Sequence, residues 1–241
     1  MTGRTNAFLA GVLLLFAAFG RAQAGVTYDL RLSDNDTSGG LITYPGEVIA
    51  LNLFARVTGS TAAVEGFQEG YGSVIATTSG GVSGGLSSTL AAPFQADGAQ
   101  PGRANNLNSD SVMDIGSNLT VASTDFLFAR AATMQTSGTA ITNGQEFKLA
   151  TVYFTATSDP ALALGSSVNV SFRVTSFTGI TSIEALWQQD GVFQTSSFGG
   201  NAALPTATVG VTLVNAIPEP SSALLLGVGV LAAGVRRFRR A

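Results

Sequence analysis

Apolar and polar residues alternate in short runs along the middle of the chain. Over residues 26–32, Val26, Tyr28, Leu30 and Leu32 share one side, and Thr27, Asp29 and Arg31 take the other. A period of two places successive side chains on opposite faces of an extended strand, so this run predicts a half-buried strand. Residues 168–174 repeat the pattern with Val168, Val170, Phe172 and Val174, and residues 207–213 repeat it again. All three read as antiparallel strands with one wet face. Residues 47–57, 124–131 and 145–157 are more continuously apolar and rich in Phe, Val and Leu, which predicts strands nearer the middle of a sheet. Helical spacing is not sustained over three turns anywhere between residues 25 and 216, and one short helix around residues 183–187 is the sole candidate. Clusters of Gly, Ser, Asn and Asp at 34–40, 79–85 and 105–111 supply turn chemistry. The pattern predicts an all-β fold, a single jelly-roll-like β-sandwich of about 8–9 strands spanning residues 25–216. Residues 79–118 fit either a long loop or a hairpin excursion.

Both ends break this pattern. Residues 7–19 form an apolar run behind Arg4, and Ala22-Gln23-Ala24 follows with small residues at the positions that signal peptidase reads. The run is about 13 residues, short of the ~20 that cross a bilayer. Residues 1–24 therefore predict a helical secretory signal peptide, cleaved after Ala24, in preference to a retained anchor. At the other end, residues 217–241 carry Pro218-Glu219-Pro220, a short apolar helix over 223–235, and Arg236, Arg237, Arg239 and Arg240. The prolines fix φ and deny the helix an earlier start. Arginines behind an apolar segment stay on the cytoplasmic side, so the body is expected outside and the tail inside.

The order tripeptide, apolar segment, arginine cluster resembles the PEP-CTERM sorting signal of Gram-negative bacteria, in place of an ordinary tail anchor. The resemblance covers about 25 residues. It implies an inner-membrane-tethered precursor and an exosortase that processes the tail near the tripeptide, releasing or re-anchoring the product. It also implies a cell-surface or matrix location, commonly in association with exopolysaccharide, biofilm or floc. It assigns a route and leaves the activity of the body open.

Composition narrows the chemistry. The 241 residues include no Cys and no His. This excludes disulfides, thiolate nucleophiles, Ser–His–Asp triads and Cys- or His-ligated metals. The net charge of −3 hides a segregation. Residues 25–216 hold 6 basic and 14 acidic side chains, a net of −8, because four arginines sit in the tail. An acidic body disfavours nucleic acid and anionic lipid as partners.

The run Gly144-Gln145-Glu146-Phe147-Lys148-Leu149-Ala150-Thr151-Val152-Tyr153-Phe154-Thr155-Ala156 resembles a core-crossing strand of cohesin-type and related carbohydrate-binding domains. The resemblance implies a tight turn before this strand and hints at a binding role.

Four groups offer candidate chemistry. Asp34, Asp36 and Ser38 with Gly39 imitate the start of a calcium loop, but Pro45 stands where a bidentate Glu belongs, so an Asx-bonded β-turn fits better. Asn106, Asn108, Asp110 and Asp114 space their oxygens as calcium ligands would, or cap their own loop. Glu65, Glu69, Glu184 and Asp190 are the carboxylates from which a hydrolytic pair would come. Trp187, with Tyr44 and Tyr71, offers a sugar-stacking ring or packs in the core. The reading with the most support is a non-enzymatic exported surface or matrix component that binds glycan or protein. A carboxylate-based extracellular hydrolase and a calcium-stabilised adhesion module are the alternatives. No other cofactor is expected.

Overall fold

The computed structural model describes residues 25–42, 45–79, 82–95, 101–117, 125–157, 167–173, 185–196 and 207–213. The expected signal helix and tail helix lie outside these residues, and so do Ala22, Ala24, Tyr44, Glu184, Pro218, Glu219, Pro220 and the four tail arginines. No helix among the described residues is long and apolar enough to cross a membrane.

The architecture is all-β, a curled sheet of fourteen strand segments. They are β1 (Gly25–Leu32), β2 (Leu41–Ile42), β3 (Val48–Thr58), β4 (Gly66–Thr78), β5 (Gly84–Leu90), β6 (Ala104–Asn105) and β7 (Val112–Ile115), followed by β8 (Leu127–Gln135), β9 (Thr139–Ile141), β10 (Gly144–Ala156), β11 (Ser167–Arg173), β12 (Ala185–Gln189), β13 (Val192–Ser196) and β14 (Ala207–Leu213). A single 3-10 turn at Ala62–Val64 is the one helical element among the described residues. The expected 8–9 strands undercount because β2, β6 and β9 are too short to show a period, and because 79–118 contributes three segments of its own.

Strand β3 is flanked antiparallel by β1 and β10, and β10 continues to β5. Strand β4 carries β11, β8 and β12, all antiparallel, and β11 continues to β14. The short β7 pairs in parallel with β5 and antiparallel with β4, joining the two groups. Strands β2 and β14 form the second parallel pair.

Alternation becomes burial where it was expected. Val26, Tyr28 and Leu30 of β1 and Val168, Val170 and Phe172 of β11 all point into one core. Ile49, Leu51, Leu53, Ala55 and Val57 of β3 have no exposed surface. Each large apolar side chain so buried contributes about 1.5–3 kcal/mol. A β-bulge at Leu149 shifts the β10 register between Lys148 and Ala150, which keeps Phe147, Val152 and Phe154 inward despite the odd residue. The two strand groups meet through aromatic rings. Tyr28 of β1 lies 4.9 Å from Phe172 of β11, and Phe67 of β4 lies 6.2 Å from Phe147 of β10, centroid to centroid. Gly70 of β4 permits this approach, since a Cβ there would collide with the Tyr28 hydroxyl and meet Phe67 at 2.9 Å.

Two expectations are corrected. Residues 185–189 form strand β12, not a helix, because its alternate residues are buried against β4 and it closes a hairpin with β13. The run expected at 124–131 becomes β8, which starts at Leu127 and extends to Gln135; among the described residues it pairs with β4 alone, at an edge and not at the middle of the sheet. The turn expected before β10 is present at residues 142–143, with Asn143 at φ 55°.

Candidate functional site

The outer face of β1–β3–β10–β5 is built by the residues that alternate with the core rows. β1 contributes Asp29 and Arg31, and β3 contributes Asn52, Phe54 and Arg56. β10 contributes Glu146, Lys148, Thr151 and Tyr153, and β5 contributes Ser87 and Thr89. Four strands at about 4.8 Å spacing give a platform about 14 Å wide.

A charged row crosses its upper part. The Arg31 guanidinium lies 3.9 Å above the Phe54 ring centroid. It donates to Asp29 at 2.9 Å and reaches over β3 to both Glu146 oxygens, at 3.1 and 2.5 Å. These contacts push the Arg31 pKa up, chiefly through the Glu146 hydrogen bond. Arg56 lies 3.6 Å from the same carboxylate. Glu146 is buried under two arginines, a geometry that holds a carboxylate only when it is paired. Lys148 is exposed and has no ion-pair partner among the described residues.

Below this row Thr151 donates to Asn52 at 3.2 Å, and Tyr153 stands half-buried between Ala50 and Ser87. Thr89 also lines a pocket of about 350 Å³ with Ser88, Leu90, Gln95 and Pro101. Lys148 follows one residue beyond the bulge from the Ala150–Leu90 pair, so it stands at the same end of the sheet as the pocket.

The other sequence candidates fall elsewhere. Asn106, Asn108, Asp110 and Asp114 do come together, but their polar atoms are engaged within the protein. Asp114 accepts the Ala76 N–H at 2.8 Å and the Leu107 N–H at 3.1 Å. Asp110 accepts the Val112 N–H at 2.7 Å and the Asn108 amide at 2.9 Å. Asn108 also donates to the Ala76 carbonyl, and Asn106 to the Asp110 carbonyl. The cluster therefore staples the 105–111 loop onto β4. No group of three or more acidic side chains suited to a metal occurs among the described residues. Burial pushes the Asp114 carboxyl up to about 6, against the two N–H donors that favour its charge. The 34–40 turn is Asx-bonded, with Ser38 Oγ and the Gly40 N–H both donating to Asp36.

Of the carboxylates, Glu65 and Asp190 meet. Both Glu65 oxygens accept the Asp190 N–H, at 3.1 and 3.2 Å, while Asp190 accepts the Ser60 N–H and hydroxyl at 2.5 Å. Burial pushes the Glu65 carboxyl up, and the Ser60 hydrogen bonds hold Asp190 down. The pair pins the β12–β13 turn to the 3-10 turn. It does not line the pocket, and Glu65 has no exposed surface. Glu69 is paired with Arg130 at 3.2 Å. Trp187 is only 8% exposed and packs in the core beside Phe67, so its ring offers no surface for stacking; Tyr71 is buried as well.

Sequence reasoning missed the platform itself. The signal was present as the outward positions of strands already recognised, but which of them adjoin depends on strand order.

Comparison with known proteins adds two findings. The seventh ScaB type I cohesin from Pseudobacteroides cellulosolvens is similar over 81% of this chain and 96% of its own, at 9% identity and a TM-score of 0.39. The sixth cohesin of Acetivibrio cellulolyticus scaffoldin B, solved in complex with a Cel5 dockerin mutant, is similar over 80% and 99%, at 10% identity and a TM-score of 0.37. No curated protein matches the chain. Residues 216–240 match the PEP-CTERM protein-sorting motif. The chain thus carries a PEP-CTERM sorting tail, which implies export as a membrane-anchored precursor that an exosortase sorts.

Proposed function

We propose that this protein is a non-enzymatic component of the cell surface or extracellular matrix, sorted by its tail and retained there by its β-sheet face. Residues 1–24 are a signal peptide removed at Ala22-Gln23-Ala24, residues 25–216 form one sandwich-like domain, and residues 217–241 are the tail an exosortase acts on at Pro218-Glu219-Pro220. The body binds exopolysaccharide or a matrix protein. The observation that carries this reading is the outer face of β1–β3–β10–β5, where half-buried Phe54 and Tyr153 stand among charged and hydroxyl side chains on a rigid sheet. Binding faces combine aromatic anchors with hydrogen-bonding groups in this way. The absence of Cys and His from the whole sequence, and the consumption of Glu65 by the Asp190 N–H, weigh against the hydrolase reading.

The reading is tested by changing Phe54 and Tyr153 to Ser in the full chain and measuring the share retained in the washed matrix fraction. Retention should fall several-fold while the melting temperature of the purified variant moves little. Full retention would overturn the assignment of the face.

A further inference from the structure

Resting on that reading, we infer that the occupant of the β1–β3–β10–β5 face is an anionic polysaccharide, a polymer carrying carboxylates such as a uronate chain. The argument begins with charge. Residues 25–216 have a net charge of −8, yet three of their six basic side chains, Arg31, Arg56 and Lys148, lie on this one face. The other three are engaged elsewhere, Arg103 with Asp125, Arg130 with Glu69, and Arg173 with a partner of its own. The face has two acidic residues, Asp29 and Glu146, so it is net positive on an otherwise strongly negative surface. Such a segregated field draws an anionic ligand to one place and repels it from the rest.

Lys148 has no ion-pair partner among the described residues, and Arg56 holds Glu146 only by a 3.6 Å ion pair without a hydrogen bond. Glu146 accepts both Arg31 hydrogen bonds and lies farther from Arg56, whose side chain is 42% exposed. Lys148 is exposed and stands at the pocket end of the sheet. Arg56 and Lys148 are diagonal neighbours across the β3–β10 ladder, about 7–8 Å apart at the backbone. That spacing is on the order of one sugar ring, which lets two charged groups of one polymer meet the two cations.

The rest of the face favours a glycan over an acidic protein. A specific protein interface centres on a dry apolar core. Here Phe54 is covered by Arg31, and the ground next to Lys148 and the pocket is hydroxyl-rich, with Thr151 and Thr89 and, one row farther along β10, the Tyr153 phenol. Hydroxyls bond sugar hydroxyls in either direction, and the pocket of about 350 Å³ bordered by Thr89 is of a size to accept one substituted ring.

The test measures binding of the full chain, in detergent micelles, to alginate, to dextran as a neutral glycan, and to poly-glutamate as an acidic polypeptide. Three proteins are compared: wild type, Arg56→Gln with Lys148→Gln, and Tyr153→Ser. The inference expects alginate to bind at least tenfold more tightly than dextran or poly-glutamate. It expects the double Gln variant to lose at least tenfold, and binding to weaken as salt rises from 50 to 300 mM by order of magnitude. Dextran bound as tightly as alginate, with loss on Tyr153→Ser alone, overturns the anionic ligand and leaves the face reading standing. Poly-glutamate bound equally well overturns the glycan class. Alginate binding untouched by all three substitutions overturns the face itself. Circular dichroism spectra that match wild type confirm that any loss is not unfolding.

Discussion

Asp114 shows most clearly what single residues do here. It has no exposed surface, and burial raises its pKa to about 6 although Ala76 and Leu107 donate N–H groups to it. The folded state therefore holds the proton more tightly than the unfolded chain, whose Asp titrates near 3.8. Its contribution to stability is greatest below about pH 4, declines as pH rises toward 6, and is flat above. Two pH units correspond to roughly 3 kcal/mol at most. Subtracting the stability of Asp114→Asn from that of wild type, by urea titration at pH 4, 5, 6 and 7, should give a difference that falls with pH. A difference that rises with pH would contradict the burial argument. Glu65 makes the second residue-scale case. Removing it by Glu65→Ala leaves the Asp190 N–H without its acceptor, and stability should drop by about 1–3 kcal/mol, with Glu65→Gln losing less. The oxygen cluster at 106–114 was legible in the sequence as oxygens at ligand spacing. The capping within the loop was legible too, but the tie to β4 was not, because the Ala76 N–H is placed by pairing of strands distant in the chain.

At the scale of elements, alternation located β1, β11 and β14, and continuous apolar runs located β3 and β10, almost to the residue. Strand β12 was misread because five residues with Trp and Leu carry no period that separates helix from strand. Its true signal lies in the following dipeptide. Asp190 and Gly191 both take positive φ, 50° and 77°, as a two-residue hairpin loop of type I′ requires, and they connect Gln189 to Val192. Gly191 has open space around its Cα, so a side chain there meets no neighbour and only the backbone objects. Gly191→Val should cost about 1–2 kcal/mol and loosen the hairpin, measured as faster amide exchange at β12 and β13. Unchanged exchange would show that the turn does not hold the hairpin. The exposed Val192 and Phe193 on this hairpin supply a contrast to the binding face, since they are apolar and uncharged.

For the whole molecule, the sorting tail at 216–240 holds four of the twelve basic residues, while residues 25–216 carry a net charge of −8. The tail was legible because sorting signals are read as linear order, which folding does not rearrange. The face proposed to bind was not, because its residues come from four strands and their adjacency is set by topology, including the bulge at Leu149. Replacing Pro218, Glu219 and Pro220 with Ala should leave the protein in the membrane fraction with its tail attached, as seen by intact mass. Normal processing of that variant would contradict the sorting assignment. On the proposed function, one sheet face meets the matrix. Hydroxyl-radical footprinting of the full chain, with and without purified exopolysaccharide from the same cells, reads that contact directly. Protection at Phe54 and Tyr153 with none at Val192 and Phe193 is the expected result. Protection of the hairpin pair with Phe54 and Tyr153 unchanged would place the contact elsewhere and contradict the claim.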